Sequence, residues 1–473
     1  YEVTETVPEY YTKLENVVTE GEADGNGGSV TDSQLYNEPF KVKAQLKKVD
    51  EETDNPLSGA VFHVYAWSER TDGYVPYCGT TDSSSKPYET GTMTGASAGM
   101  VLEETEKGIY VTPCWLYYSP DNQGKYRVVE TSAPEGYFGD WKEDVSVTED
   151  STDADKNVYD FVISPDRDQN QSTVTITNNT ENTFDDQRVL GRISFTKNDR
   201  EAEDTVAQGD ASLAGARYGL YAAEDIFHQD QSGTVLFRKG EEIPVSYVGA
   251  ENGVRTYRYD EDGTAEMTTG SGCTIIIENL ELGSYYLKEE EASEGYLIDP
   301  EEYHFQLEWQ GEKVPVVEIS DYQVYEQVKK QALSFYKVTG TDNTDRLDPM
   351  EGAKFSIYLV LELADGKYTD VPDEDLPQAV IDDFRDPTTL DYSAFRKVRP
   401  AIIYDEADSP DVTSGKLVKS ITYSDGTTYR ISDYTDNENA YFAAELESDE
   451  RGIVTTPGLP YGRYVVIETT TPE

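Results

Sequence analysis

Tyr126-Arg127-Val128-Val129-Glu130-Thr131-Ser132-Ala133-Pro134-Glu135-Gly136-Tyr137 decides the reading of this chain. Its β-branched and aromatic residues alternate as in a strand, and Pro-Glu-Gly after them is turn chemistry. At period two, Tyr126, Val128 and Glu130 share one face. Glu130 therefore points inward with apolar neighbours, which is costly for a carboxylate without a partner. The stretch recurs. Tyr285-Tyr286-Leu287-Lys288-Glu289 continues to Glu294-Gly295-Tyr296, Tyr464-Val465-Val466-Ile467-Glu468 is followed by Thr469-Thr470-Thr471-Pro472, and the chain opens on Tyr1-Glu2-Val3-Thr4-Glu5. Four copies of one strand imply tandem repeats of one all-β domain.

A second recurring segment supplies the partner. Leu46-Lys47-Lys48, Phe195-Thr196-Lys197 and Phe335-Tyr336-Lys337 each place a Lys two residues after an apolar residue, so Lys48, Lys197 and Lys337 join the buried face. Each is followed by a turn into a further strand, at Leu57-Ser58-Gly59-Ala60, Leu213-Ala214-Gly215-Ala216 and Met350-Glu351-Gly352-Ala353. A third segment closes a repeat: Val174-Thr175-Ile176-Thr177-Asn178, with Leu35-Tyr36-Asn37 and Val324-Tyr325-Glu326 in the matching places. Asn37 precedes Lys48 by eleven residues, as Glu326 precedes Lys337. The Lys-to-Glu separation is 82, 92 and 131 residues in the three repeats, so the last carries an insertion, expected at about 361–445. The expected domains are 1–40 (the end of a preceding one), 41–184, 185–330, and 331–473 without its closing strand. Such ends are expected of a window cut from a longer repeat protein.

Composition agrees. The 473 residues carry 93 Asp and Glu against 39 Lys and Arg, a formal charge of −54, which disfavours nucleic-acid and anionic-membrane partners. The 36 Tyr and 14 Phe are too many aromatics for a disordered acidic chain. Three Cys cannot form a disulfide framework, and no run has transmembrane length.

Taken together, Lys-x-Asp, Leu-x-Gly-Ala-x-Phe, Tyr-x-Val-x-Glu-Thr-x-Ala-Pro-x-Gly-Tyr and Val-x-Ile-x-Asn resemble the collagen-adhesin B-type domain of Gram-positive surface adhesins and pilins. The resemblance implies tandem prealbumin-like (Ig-like) β-sandwiches in an elongated array, extracellular and attached to a cell wall or pilus. It also implies that Lys and Asn of one domain condense into an isopeptide bond promoted by the Glu, a single self-maturation event and not enzymatic turnover. The chemistry suits the residues: burial raises a carboxyl pKa and lowers an amine pKa, so a buried Lys–Glu pair can be a neutral amine beside a neutral acid. By this resemblance Lys48, Glu130 and Asn178 form a complete triad; a salt bridge beside a hydrogen-bonded Asn is the competing reading. Lys197 and Glu289 face Glu326 where the acceptor should be, and a salt-bridged cluster without a bond is expected there. Lys337 with Glu468, and Glu5 with Asn37, are half-sites. They would be completed in cis by a longer chain, or in trans by head-to-tail association sealed as Lys337–Asn37.

Other patterns carry less. Gly95-Ala96-Ser97-Ala98-Gly99 fits a nucleophile elbow but sits among turn residues without a His in reach. The acidic turns at Asp24, Asp260-Glu261-Asp262-Gly263 and Asp433-Asp436-Asn437-Glu438 complete no calcium loop and read as solvated, so no cofactor is expected. A Cys78–Cys114 disulfide stays open. The function expected first is a structural stalk. A ligand-binding adhesin module using the third-repeat insertion, or spacer domains of a secreted hydrolase, are the alternatives, and the ligand is not legible.

Overall fold

The computed structural model describes residues 39–77, 99–139, 157–168, 171–177, 183–340, 347–360, 398–404, 416–422, 426 and 428–472. These are nearly all β, in many separate sheets, as expected of tandem prealbumin-like β-sandwiches. They fall into two compact units. The first runs to Leu190 and takes in Ile226–Leu236 and Leu307–Val317; the second comprises Gly191–Asp225, Phe237–Gln306 and Glu318–Glu473.

In the first unit one sheet centres on the opening strand Lys41–Asp50. Ile109–Val111 pairs antiparallel along one edge, and Thr173–Thr175 and Phe184–Arg188 lie parallel along the other. The facing sheet orders Gly73–Pro76, Val61–Ser68, Lys125–Ser132 and Val158–Val162. Val42, Ala44 and Leu46 alternate inward onto Phe62, Val64, Tyr126 and Val128, forming a core shared by the two sheets. The second unit repeats the arrangement, with opening strand Leu190–Asp199 beside Val316–Glu326 and, facing it, Arg217–Ala222 beside Gly283–Glu291. The two opening strands bury the same positions, so Lys48 and Lys197 fall eighth of ten and inward in both.

Two sequence motifs find their reasons here. The Gly of Leu-x-Gly-Ala has φ +97°, +92° and +82° at Gly59, Gly215 and Gly352, a left-handed conformation that side chains resist. The Asp of Lys-x-Asp ties the repeat's beginning to its later turn. Asp50 Oδ2 accepts from Tyr137 Oη at 2.7 Å, and Asp199 Oδ2 from Tyr296 Oη at 2.8 Å. The other oxygen of each caps the turn after the opening strand, through Thr53 N–H (2.8 Å) and Ala202 N–H (2.8 Å). Lys-x-Asp and Glu-Gly-Tyr are thus halves of one buried contact.

Two segments far along the chain complete the first unit. Gln229 Nε2 donates to the carbonyls of Gly136 and Val189, Gln231 exchanges two hydrogen bonds with the Ser58 backbone, and Glu312 accepts from Ala133 N–H and Ser132 Oγ. They grip the two turns that motif reading singled out.

The Asp382–Arg385 helix expected in the third-repeat insertion lies outside the described residues. Of that region the structure gives short strands such as Ile402–Tyr404 and Lys416–Val418, both pairing with Ala440–Glu447.

Replacing Tyr137 by Phe removes a buried hydrogen bond to a charged acceptor, worth about 1.5–3 kcal/mol. The urea transition of the first unit should move to lower concentration by that amount. Tyr296→Phe should do the same to the second unit, and an unchanged midpoint for either would refute the pairing of motifs.

Candidate isopeptide sites

In the three repeats whose Glu strand is described, the Glu stands beside a β-bulge. Phe62 pairs with Glu130 while Val61 pairs with Ser132, so Thr131 is left over. Tyr218 pairs with Glu289 and Arg217 with Glu291; Phe355 pairs with Glu468 and Lys354 with Thr470. A bulge re-aims the side chain next to it. Recurring three times after the same residue, it directs a carboxyl from one sheet toward the Lys of the other.

In the first unit, Lys48 Nζ lies 2.9 Å from Glu130 Oε2 and 2.6 Å from Asp186 Oδ1, with Lys48 at 0% and Glu130 at 1% exposure. Asp186 comes from Phe184–Arg188, where Lys48 is level with Phe184 and Asp50 with Asp186, so both carry side chains to the same face. One ammonium and two carboxyls are buried together, and they balance when one carboxyl keeps its proton. Burial pushes Glu130 up to about 8 against the pull of Lys48, with Asp186 adding to the rise. Burial also raises Asp186. Burial alone would lower the Lys48 pKa, but the two carboxyls outweigh it and hold the ammonium above its ordinary value. Burial thus favours the acid form of Glu130 beside the Lys48–Asp186 pair. Glu130 Oε1 and Asp186 Oδ2 are buried and make no other hydrogen bond, so the acid proton has Asp186 as its acceptor.

The second cluster has the same frame and different neighbours. Lys197 Nζ contacts Glu326, Glu289 Oε1 (3.3 Å) and Ser293 Oγ (2.8 Å), one acceptor for each ammonium proton. Glu326 Oε1 accepts from Tyr218 Oη at 2.7 Å, and Glu289 Oε2 from Asp299 N–H at 2.8 Å. Tyr218 stands where the first repeat has Phe62, and Ser293 where it has Pro134. Burial, followed by the bond to Glu326, pushes Glu289 up to about 8.

The third repeat brings Lys337 Nζ to 2.8 Å from Glu468 Oε2, but here the pair is 24% and 28% exposed. Glu5, Asn37 and Asn178 lie outside the described residues. The reading by motif missed Asp186, having taken Val-x-Ile-x-Asn as the end of the repeat. A signal for it existed: Asp186 precedes Lys197 by the same eleven residues that separate Asn37 from Lys48 and Glu326 from Lys337.

Remaining candidates are placed more simply. Asp260 spends its carboxylate on Ser246 Oγ and the Asp262 N–H, a capped turn. Asp433 accepts from the Arg430 N–H. Cys114 and Cys273 are free thiols, Cys273 buried, while Cys78 and residues 95–98 lie outside the described residues.

A carboxyl whose folded pKa exceeds its unfolded one stabilises the fold at low pH and loses that contribution as pH rises through the folded value. For Glu289 the window runs from its ordinary range near 4.5 up to about 8. Urea midpoints of the second unit should therefore fall between pH 5 and pH 9, and Glu289→Gln, permanently neutral, should flatten that fall. An equal slope in the variant would contradict the assignment.

Comparison with known proteins places the architecture. Residues 191–323 and 420–473 match the family described as SpaA, prealbumin-like fold domain. No curated protein matches the sequence. Among solved structures, the Bacillus anthracis TIE protein aligns at 17% identity and TM-score 0.40 over 92% of this chain, which spans 47% of that one. A Streptococcal ancillary pilin aligns at 14% identity and TM-score 0.21, covering 92% of this chain and 91% of its own. The shaft pilin SpaA of Lactobacillus rhamnosus GG aligns at 14% and 0.21, covering 61% of this chain and 98% of its own. Across residues 191–323 and 420–473, the chain is built of SpaA prealbumin-like fold domains.

Proposed function

We propose that this chain is a structural, load-bearing segment of a Gram-positive cell-surface protein, a stalk of a pilus or adhesin, whose first repeat is stiffened by an amide between Lys48 and Asp186. The observation that carries the reading is the buried contact of Lys48 Nζ with Asp186 Oδ1 at 2.6 Å, with Glu130 Oε2 at 2.9 Å beside it. Beside a core of apolar side chains from both sheets, an ion pair is a poor way to gain stability, and burial of the charges makes their removal favourable.

The step balances as follows. A proton passes from the Lys48 ammonium to the Asp186 carboxylate, giving amine and acid without net charge movement out of the site. Nζ attacks Asp186 Cγ while the Glu130 O–H donates to the Asp186 oxygen, stabilising the charge that develops there. The C–N bond forms, one Asp186 oxygen leaves with two protons as water, and Glu130 ends with its proton restored. The product is a neutral amide, and the dry core disfavours hydrolysis. One bond forms per molecule, so the chemistry is maturation and not turnover.

The same reasoning keeps the second cluster ionic. Every Lys197 proton has an acceptor there, and Tyr218 and Ser293 supply hydroxyls that Phe62 and Pro134 cannot.

The amide would close a loop spanning most of the first repeat, restricting the unfolded chain by roughly 4–5 kcal/mol. The intact chain should weigh one water less than its sequence. Glu130→Ala should restore the full mass and lower the melting temperature of the first unit, leaving the second unchanged. A wild-type mass equal to the sequence mass would sink the proposal, and a loss of two waters would refute the ionic reading of Lys197.

A further inference from the structure

Glu130 is aimed by its main chain, and a residue outside the repeated motifs holds that main chain. Asn157 stands immediately before the strand Val158–Val162 and is buried, at 2% exposure. The strand pairs antiparallel with Lys125–Ser132, and its register ends at Val129↔Val158. The next rung would set Glu130 opposite Asn157. Half of that rung is ordinary backbone, the Glu130 N–H donating to the Asn157 carbonyl at 2.9 Å. The other half is made by a side chain, Asn157 Nδ2 donating to the Glu130 carbonyl at 2.8 Å. Both backbone groups of Glu130 are thus tied to one residue, next to the bulge at Thr131 that disrupts the ladder on the other edge.

Two features set this contact apart from ordinary strand pairing. Asn157 Oδ1 is buried without a hydrogen-bond partner among the described residues, an arrangement that stability alone disfavours. The second repeat, whose cluster is read as ionic, lacks the donor. Phe161 stacks on Tyr126 with ring centroids 5.8 Å apart, and Phe305 on Tyr285 at 5.9 Å, which sets the two later strands in correspondence. Four residues before each Phe, Glu301 stands where the first repeat has Asn157. A Glu carboxylate has no N–H to give. There the nearby Asp299 N–H donates to the carboxyl of Glu289 itself, at 2.8 Å. In the first repeat the donor goes to the main chain, and Glu130 Oε1 makes no hydrogen bond outside the cluster.

We propose that Asn157 is the positioning residue of the amide-forming site. It fixes the Glu130 backbone so that the carboxyl reaches Lys48 and Asp186. It does so without placing a donor on that carboxyl, whose own proton must point at Asp186 during the attack. Asn157 touches none of the reacting atoms. The assignment rests on the Lys48–Asp186 amide proposed above.

The experiment follows loss of one water by intact mass in the full chain, after a short isotope-labelled pulse of expression. Only folded molecules, recovered by gel filtration, are counted. Asn157→Ala should form the amide about tenfold more slowly than the wild type, and so should Asn157→Leu, which fills a similar volume without a donor. A residue that only stabilised the fold would change the folded fraction and leave the rate within it alone. Wild-type rates in both variants overturn the positioning role. A slow Asn157→Ala beside a wild-type rate in Asn157→Leu also overturns it, since packing and not the donor would then matter. In either case the wild-type chain still loses its water and the amide reading stands. A wild-type chain that keeps its full sequence mass overturns that reading, and this assignment with it.

Discussion

A lysine ammonium buried between two carboxyls is the constraint around which this fold is arranged. The cost of burying such a group is large and the return from pairing it is modest, so a chain that repeats the arrangement must hold it in place by other means. Three devices do so. The opening strand buries its eighth residue by simple alternation from a core of Val42, Ala44 and Leu46. A bulge after the Glu turns its carboxyl inward. The parallel closing strand brings a third group alongside. The Tyr137–Asp50 bond then pins the turn after the Glu strand to the end of the Lys strand, so all three groups sit on elements locked to one another.

The three repeats form a natural series in which one frame is given three environments. Around Lys48 the neighbours are apolar, and two carboxyl oxygens lack partners outside the cluster. Around Lys197 a Tyr and a Ser hydroxyl join the cluster, while Glu326 Oε2 has only its contact with the ammonium. Around Lys337 the pair is partly exposed, at 24% and 28%. The first two clusters are equally buried and differ in the hydroxyls around them, whereas the third is partly exposed. Two hydroxyls, Tyr218 against Phe62 and Ser293 against Pro134, distinguish the second cluster from the first.

Much of this was legible in the sequence, and what was not has a physical reason. Lys48, Glu130, Lys197, Glu289, Lys337 and Glu468 were identifiable because period-two alternation puts them on apolar faces, where charge stands out. Asp186 escaped because Phe184-Asp185-Asp186-Gln187-Arg188 is mostly polar and looks like an exposed linker. Only one face of that strand is buried, and parallel pairing to Lys41–Asp50 happens in space and not in local pattern. The closing strand is also split, Thr173–Thr175 pairing first and Phe184–Arg188 later, so the apolar Val-x-Ile piece drew the assignment of the acceptor to Asn178. Bulges leave no sequence mark here, since Thr131, Glu290 and Thr469 are ordinary strand residues. Nor could periodicity reveal that Ile226–Leu236 and Leu307–Val317 belong to the first compact unit, because those contacts run through single polar side chains such as Gln229 and Glu312.

The central claim concerns one bond, and peptide mapping of the protease-digested wild-type chain tests it most directly. The account predicts a branched fragment joining Lys48 to Asp186, lighter than its two parts by one water. Lys48 recovered as a free amine, or joined to Asn178 with loss of ammonia, would contradict it.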